Sequence, residues 1–124
     1  MSDEERLYSV EEANALLPFL APTLVELREK FELAESARAS VARAAAGNGW
    51  SEKRERWSVT MARVAELMER LQEWGLQLRD VATGLIDFPA VVDGEEAYLC
   101  WRLGEPEVAW YHSRREGFGG RRRL

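Results

Sequence analysis

The chain has 124 residues, 46% hydrophobic and 31% charged, which is typical of one folded domain and excludes a disordered segment. The formal net charge of −5 argues against a protein whose whole surface binds nucleic acid. One cysteine excludes an intrachain disulfide, the acidic N-terminus does not resemble a signal peptide, and no apolar run reaches the roughly 20 residues of a membrane span. We therefore expect a single cytoplasmic domain over residues 1–124 that does not enter the membrane.

The first predicted element is a long helix over residues 9–46. Ser9 and Glu12 have the spacing of a capping box, in which each side chain accepts a hydrogen bond from the other residue's backbone amide. Pro18 and Pro22 predict a kink, because proline removes a backbone donor and clashes with the preceding turn. The apolar residues then follow a heptad rhythm through Leu20, Leu24, Leu27, Phe31, Ala34, Val41 and Ala45.

A second helix is predicted over residues 51–74, after a turn at Gly47-Asn48-Gly49. Its apolar residues repeat the same spacing at Trp57, Met61, Val64, Met68, Leu71 and Trp74. Two such helices joined by a tight turn form an antiparallel, coiled-coil-like hairpin, which places Trp74 beside Thr23 or Leu24. The segment from Val10 to Pro22 then extends beyond the second helix, and we expect the C-terminal third to cover it.

That C-terminal third predicts a small antiparallel β-meander over residues 76–112, with strands near 76–78, 85–92, 97–103 and 108–112. Asp93-Gly94 is a typical two-residue hairpin turn, and a second turn is centred on Glu105-Pro106. The stretch 113–124 is predicted to be a loosely held basic tail. The predicted fold class is α+β: a long antiparallel helical hairpin with a kinked N-terminal segment packed on a small C-terminal meander.

Four residues of the meander are of metal-ligating types: Asp87, Cys100, Glu105 and His112. A two-residue turn at 93–94 places Asp87 opposite Cys100. A symmetric second turn places His112 opposite Leu99 on the other face, whereas a one-residue change in that turn brings His112 to the Cys100 face. Spacing motifs such as CxxC and HExxH are absent. We therefore predict no cofactor, and we retain a divalent metal at these four residues as an alternative.

Catalysis and nucleic-acid binding have weaker support. A Cys100–His112 dyad requires an activated thiol, and Arg102 is the only cation that the sequence places next to Cys100. The glycines near the C-terminus follow no strand and open no helix, so they do not form a phosphate-binding loop. The tail, with five arginines and Phe118, has a composition seen in nucleic-acid contact segments. Because it is short and attached to an acidic body, we interpret it as a solvated face or a clamp on the protein's own acidic helices.

A two-helix hairpin buries only a narrow apolar seam, which favours association with partner helices, most simply in a two-fold homodimer with a four-helix core. The residues expected at this interface are Trp50, Leu27, Phe31, Trp57, Met61 and Val64. The sequence therefore favours a non-enzymatic cytoplasmic interaction or scaffold protein that acts as this dimer, with a further, unidentified protein partner. The alternative is a small metal- or ligand-binding protein that uses the region around Cys100. Nucleic-acid contact through the tail ranks third.

Several blocks near the two ends of the chain resemble one protein family. They are YSVEEANALLP at 8–18, GLIDFPA at 84–90, YLCWRLGE at 98–105, Trp110 with His112, and Gly117-Phe118 with Arg121. The family is a bacterial one known only as domain of unknown function 2203, and the resemblance covers essentially the whole chain. It implies no activity, cofactor or catalytic residue. It does imply that the N-terminal block and the meander belong to one unit.

Overall fold

The computed structural model describes residues 5–43 and 50–124, and it has an α+β fold. Helix α1 spans Val10–Arg43 and helix α2 spans Trp50–Glu73. The predicted capping box is present at the start of α1. The Ser9 amide donates to Glu12 Oε1 at 2.9 Å, and the Glu12 amide donates to Ser9 Oγ at 3.0 Å. The predicted glycine turn at 47–49 and the predicted helix end at 46 lie outside the described residues.

The two helices pack side by side in opposite directions. Arg70 of α2 lies 3.5 Å from Thr23 Oγ1 of α1. Arg63, which precedes Arg70 in α2, pairs with Glu26, which follows Thr23 in α1. Leu67 is fully buried between the helices, whereas the predicted seam residue Met68 is exposed. The predicted heptad pattern of α2, which placed Met68 in the apolar seam, was therefore wrong by one residue at this turn. In the described part of the chain, neither helix has a segment that is long and apolar enough to cross a membrane.

The C-terminal part forms one antiparallel sheet of five strands that are neighbours in chain order. The strands are β1 Gln77–Asp80, β2 Leu85–Val92, β3 Glu95–Arg102, β4 Trp110–Ser113 and β5 Arg122–Arg123. The predicted loose tail is instead part of the fold. It contains a short 3-10 turn at Phe118–Gly120 and then returns to pair with β4.

Two turns determine the register of the central strands. Asp93 and Gly94 both have positive φ, 52° and 81°, as a tight hairpin turn requires, and Asp87 lies opposite Cys100 as predicted. The symmetric register for the second turn was wrong. Tyr111, not His112, lies opposite Leu99, so His112 shares the Cys100 face. The connection from β3 to β4 is a longer irregular loop that tertiary hydrogen bonds hold in place, and turn symmetry does not govern its register.

One face of the sheet packs on the helices. The inner side chains of β2 and β3 belong to the same buried cluster as residues from the start of α1 and the end of α2; its main members are Ala13, Leu20, Leu67, Leu71, Ile86, Phe88, Leu99 and Trp101. Tyr8 joins this cluster through an edge-on contact with the Phe88 ring, and its amide donates to Pro89 O at 2.7 Å. The Val108 amide donates to Asn14 Oδ1 at 2.7 Å. The sheet thus covers one side of the N-terminal segment of α1, while Phe19 on another side remains exposed.

Candidate metal centre on the outer face of the sheet

The outer face of the sheet, opposite the helices, carries a buried polar cluster at its centre. Side chains alternate between the two faces of a strand, so Asp87 on β2, Cys100 on β3 and His112 on β4 point to the same side. All three are fully or almost fully buried. One ligand-type atom from each lies within 4.8 Å of the other two. We refer to these three residues as the outer-face triad.

His112 makes two hydrogen bonds to oxygen atoms. Its Nδ1 lies 2.7 Å from the backbone oxygen of Ser113, and its Nε2 lies 3.0 Å from Asp87 Oδ1. A backbone carbonyl can only accept, so Nδ1 carries a proton. The imidazole is therefore fixed in orientation, with Nε2 directed at the triad.

Asp87 has a second charged partner that the sequence did not identify as part of the site. Arg79 on β1 donates from Nε to Asp87 Oδ2 at 2.8 Å. This contact raises the pKa of Arg79, chiefly through the hydrogen bond to Asp87. The Arg79 guanidinium also lies 5.1 Å from the centre of the Tyr98 ring, which in turn lies 5.6 Å from the His112 ring. The sequence feature that could have identified Arg79 is the alternation of side chains along β1, which places Gln77 and Arg79 on the same face of the sheet.

The Cys100 thiol is buried and protonated at neutral pH. Burial raises its pKa to about 11, the neighbouring Asp87 adds to this effect, and a contact with Arg121 only partly opposes it. Arg121 lies beside the thiol, with its Nη1 3.9 Å from Sγ. Arg102, the cation expected next to Cys100, lies instead against the Phe118 ring at 5.3 Å. A thiol in this state is a poor nucleophile, which disfavours a Cys100–His112 catalytic dyad.

Glu105, the fourth predicted ligand, does not join the triad. Its carboxylate binds both terminal nitrogens of Arg121, at 2.6 and 3.2 Å, and accepts from the Arg102 amide at 2.8 Å. Burial raises the pKa of Glu105, but these hydrogen bonds outweigh burial and lower it overall. Arg121 thus lies between the Glu105 carboxylate and the Cys100 thiol. Glu105 supports the cation that covers the triad.

The tail closes the outer face by pairing its arginines with carboxylates of the same chain. Arg121 pairs with Glu105, Arg122 pairs with Glu116, and Arg114 pairs with Glu5 at 2.9 Å. Arg121 and Arg123 also lie over the Trp110 ring, at 4.7 and 5.6 Å. Trp110 lies opposite Cys100 on the outer face and does not pair with Trp101, which is buried in the core. The tail arginines are largely used in holding the tail to the sheet.

The residues predicted at a helix interface fall into two groups. Leu27 and Val64 are 0% and 6% exposed and belong to the core of this chain, so they are not accessible to a partner. Phe31 is 39% exposed, whereas Trp57 and Met61 are half-buried. The side chain of Trp50 lies outside the described residues. Two apolar residues not predicted for an interface, Leu33 and Val59, are 55% and 66% exposed.

The triad supplies one oxygen, one sulfur and one nitrogen donor at a buried position. This mixed set suits a borderline divalent ion such as Zn²⁺, which in a tetrahedral site separates its ligand atoms by ~3.3–3.7 Å. The ligand atoms of the outer-face triad lie within 4.8 Å of one another, so the longest separation contracts by at most about 1.5 Å to reach that spacing. The hydrogen bond from His112 Nδ1 to a backbone carbonyl is the usual support for a histidine that binds a metal through Nε2.

Comparison with known proteins identifies the family of the chain but no characterised relative. No curated protein and no solved structure shows significant similarity to it. The profile of one family, described as "Uncharacterized conserved protein (DUF2203)", matches residues 6–124. This match spans both helices, all five strands and the outer-face triad. The chain therefore belongs to the DUF2203 family of uncharacterized conserved proteins.

Proposed function

We propose that the protein binds a divalent transition-metal ion, Zn²⁺ or one of similar chemistry, through the outer-face triad. The observation that carries this proposal is the approach of Asp87, Cys100 and His112 to within 4.8 Å of one another at a buried position. Buried charged and polar groups are costly unless they are paired or bind a metal, so three such groups on three adjacent strands suggest a specific role.

The supporting contacts are those that a metal centre needs around its ligands. Asp87 is held by Arg79 through the oxygen that does not face His112, so Oδ1 remains directed at the triad. His112 is held by Ser113 through the nitrogen that does not face Asp87. Three protein ligands leave a fourth coordination position, which is the arrangement of metal sites that exchange water or a small ligand.

Metal binding at this site has a specific proton signature. The thiol of Cys100 must lose its proton, because only the thiolate binds the metal well. We therefore expect about one proton, that of Cys100, to be released per bound ion at neutral pH, and the affinity to fall as the pH is lowered.

Cobalt(II) titration of the chelator-treated full chain tests the proposal. We expect one ion per chain, a thiolate-to-cobalt charge-transfer band in the near ultraviolet, and release of about one proton, that of Cys100, in calorimetry across buffers of different ionisation enthalpy. Cys100→Ser should abolish the charge-transfer band, because this is the only cysteine. His112→Ala should weaken binding on the order of a hundredfold or more, because loss of a ligand exceeds the loss of a supporting contact.

The matched control is Glu95→Gln, which removes an exposed carboxylate from β3 away from the triad and should leave binding unchanged. Absence of a charge-transfer band in the parent chain, or binding without proton release, would show that the triad is a hydrogen-bonded cluster with a structural role only.

A second candidate function is that of a homodimeric interaction protein, and an exposed apolar groove on the helices favours it. Leu33 on α1 and Val59 on α2 line this groove, which has a volume of about 780 Å³. Glu52, Glu55 and Arg56 lie along it, so a second copy in antiparallel orientation would bring charges of both signs together. The dimer contact in this proposal is centred on Phe31, Leu33 and Val59, not on the buried Leu27 and Val64.

Sedimentation velocity at micromolar concentration tests the dimer. We expect the parent chain to sediment as a dimer and Val59→Glu to sediment as a monomer, because a charge in an apolar contact must be desolvated. Ala65→Glu, which places the same charge at an exposed position of α2 outside the groove, should remain dimeric. A monomeric parent chain would contradict the dimer and leave the metal proposal unaffected.

A further inference from the structure

A cavity of about 390 Å³ lies between the tail and the β1–β2 side of the outer face. The residues that matter for its chemistry are Arg79, Asp87, Arg114, Arg115, Glu116 and Phe118. Its volume is within the range of small-molecule pockets, which is roughly 300–1,000 Å³. We call it the tail cavity.

The charges that line the tail cavity do not cancel. Arg79 is paired with Asp87 at 2.8 Å, and Glu116 is paired with Arg122 at 3.2 Å. Arg114 donates to both carboxylate oxygens of Glu5, at 3.1 and 2.9 Å. Arg115, by contrast, is exposed and has no hydrogen-bonding or ion-pair partner among residues 5–43 and 50–124. The cavity therefore has one surplus positive charge, which favours an anion.

Two of the three guanidinium groups that line the tail cavity, those of Arg79 and Arg114, are held in place before any ligand binds. The Arg79 and Arg114 guanidinium groups lie 5.1 and 4.4 Å from the centre of the same ring, that of Tyr98. Arg114 is further fixed by a bond from its Nε to the Ala97 backbone oxygen at 2.8 Å. Arg79 is fixed by the bond from its Nε to Asp87. A wall with fixed side chains costs less conformational entropy when a ligand binds.

We propose that the tail cavity binds a small oxyanion, a phosphate or carboxylate group, through Arg115 with support from Arg79. Guanidinium groups match the planar, two-oxygen geometry of these anions and form charge-assisted hydrogen bonds with them. Phe118 and the Leu85 side chain give the cavity an apolar part that suits the carbon portion of an organic anion. The site shares Asp87 with the outer-face triad, but its charge balance does not depend on a bound metal.

Titration of the full chain with inorganic phosphate, and separately with acetate, tests this inference in the presence of chelator and at constant ionic strength. Amide chemical shifts of residues 79, 85–87 and 114–118 should change on binding. Arg115→Gln should weaken binding about tenfold, as expected for the loss of one charge-assisted hydrogen bond. Stronger binding of phosphate than acetate would assign the site to phosphate compounds, and the reverse order to carboxylates.

The matched control is Arg38→Gln, which removes the same charge from an exposed position of α1. The inference is overturned if neither anion binds at millimolar concentration. It is also overturned if Arg115→Gln leaves the affinity unchanged. Equal weakening by both variants overturns it too, because that result shows a general effect of charge. Because every titration contains chelator, no metal ion is bound during the measurement. A failure of anion binding is therefore distinguishable from a failure of the metal proposal.

Discussion

The two faces of the sheet are formed by the same strands but bury side chains of different chemistry. On β2 and β3, the inner side chains Ile86, Phe88, Leu99 and Trp101 are apolar and pack on the helices. The outer side chains Asp87 and Cys100 are equally buried, yet they are polar or ionisable. The inner face packs on two long helices, whereas the Cys100 side of the outer face lies next to the short tail, which the Arg121–Glu105 pair holds in place. Buried polar groups are tolerated only where their hydrogen bonds are satisfied, so the outer face depends on the contacts that the tail and Arg79 supply.

This difference separates two kinds of energetic contribution in the chain. The inner face contributes mainly hydrophobic energy, which depends on volume and shape and is insensitive to pH. The outer face contributes hydrogen bonds and ion pairs, whose strength depends on protonation and on bound ions. Substitutions on the inner face should therefore change the free energy of unfolding under all conditions. Substitutions on the outer face should act on binding and on the pH dependence.

The largest stability effect is expected on the inner face. Phe88→Ala removes a fully buried ring that contacts Tyr8, and we expect a loss of about 3–5 kcal/mol in the free energy of unfolding. Val91→Ala, on the outer side of the same strand and half exposed, should cost less than about 1 kcal/mol. Urea unfolding followed by circular dichroism measures both. Equal losses in the two variants would contradict the assignment of the inner face as the core.

Several features of this architecture could be predicted from the local sequence. The capping box at Ser9, the Asp93-Gly94 turn and the position of Asp87 opposite Cys100 depend on residues only a few positions apart or on a two-residue turn. The α+β class followed from the change between helical spacing and strand alternation. These features are determined by short-range geometry, which a single sequence carries.

The position of His112 could not be predicted because long-range contacts determine it. The loop from β3 to β4 is fixed by Trp101 Nε1 donating to the Glu105 backbone oxygen and by Val108 donating to Asn14, 94 residues away in the chain. Turn symmetry takes no account of such contacts and gave a register that was off by one residue. The tail was missed for the same reason, since a two-residue strand is stable only against β4 and through the Arg121–Glu105 pair.

A smaller effect, which depends on pH, is expected for the ion pair that holds the tail over Cys100. The folded-state pKa of Glu105 is lowered from its ordinary value of 4.5, so the charged carboxylate stabilises the fold above that pH. This contribution begins to decrease as the pH falls below about 4.5, and it is lost as the pH falls through the lower pKa that Glu105 has in the folded protein. Glu105→Gln should therefore cost about 1 kcal/mol at pH 7 and less at pH 3.

Urea unfolding of the parent and the Glu105→Gln variant at both pH values measures this difference, and labelling of Cys100 by a thiol reagent reports the opening of the tail. Because Arg121 binds Glu105 and lies beside Sγ, the variant should label faster at pH 7 while the inner core remains intact. Glu95→Gln again serves as the exposed control on β3 and should match the parent in both measurements. A stability loss that is the same at both pH values would show that Glu105 acts by packing alone. The contrast between the two faces would then not extend to the tail.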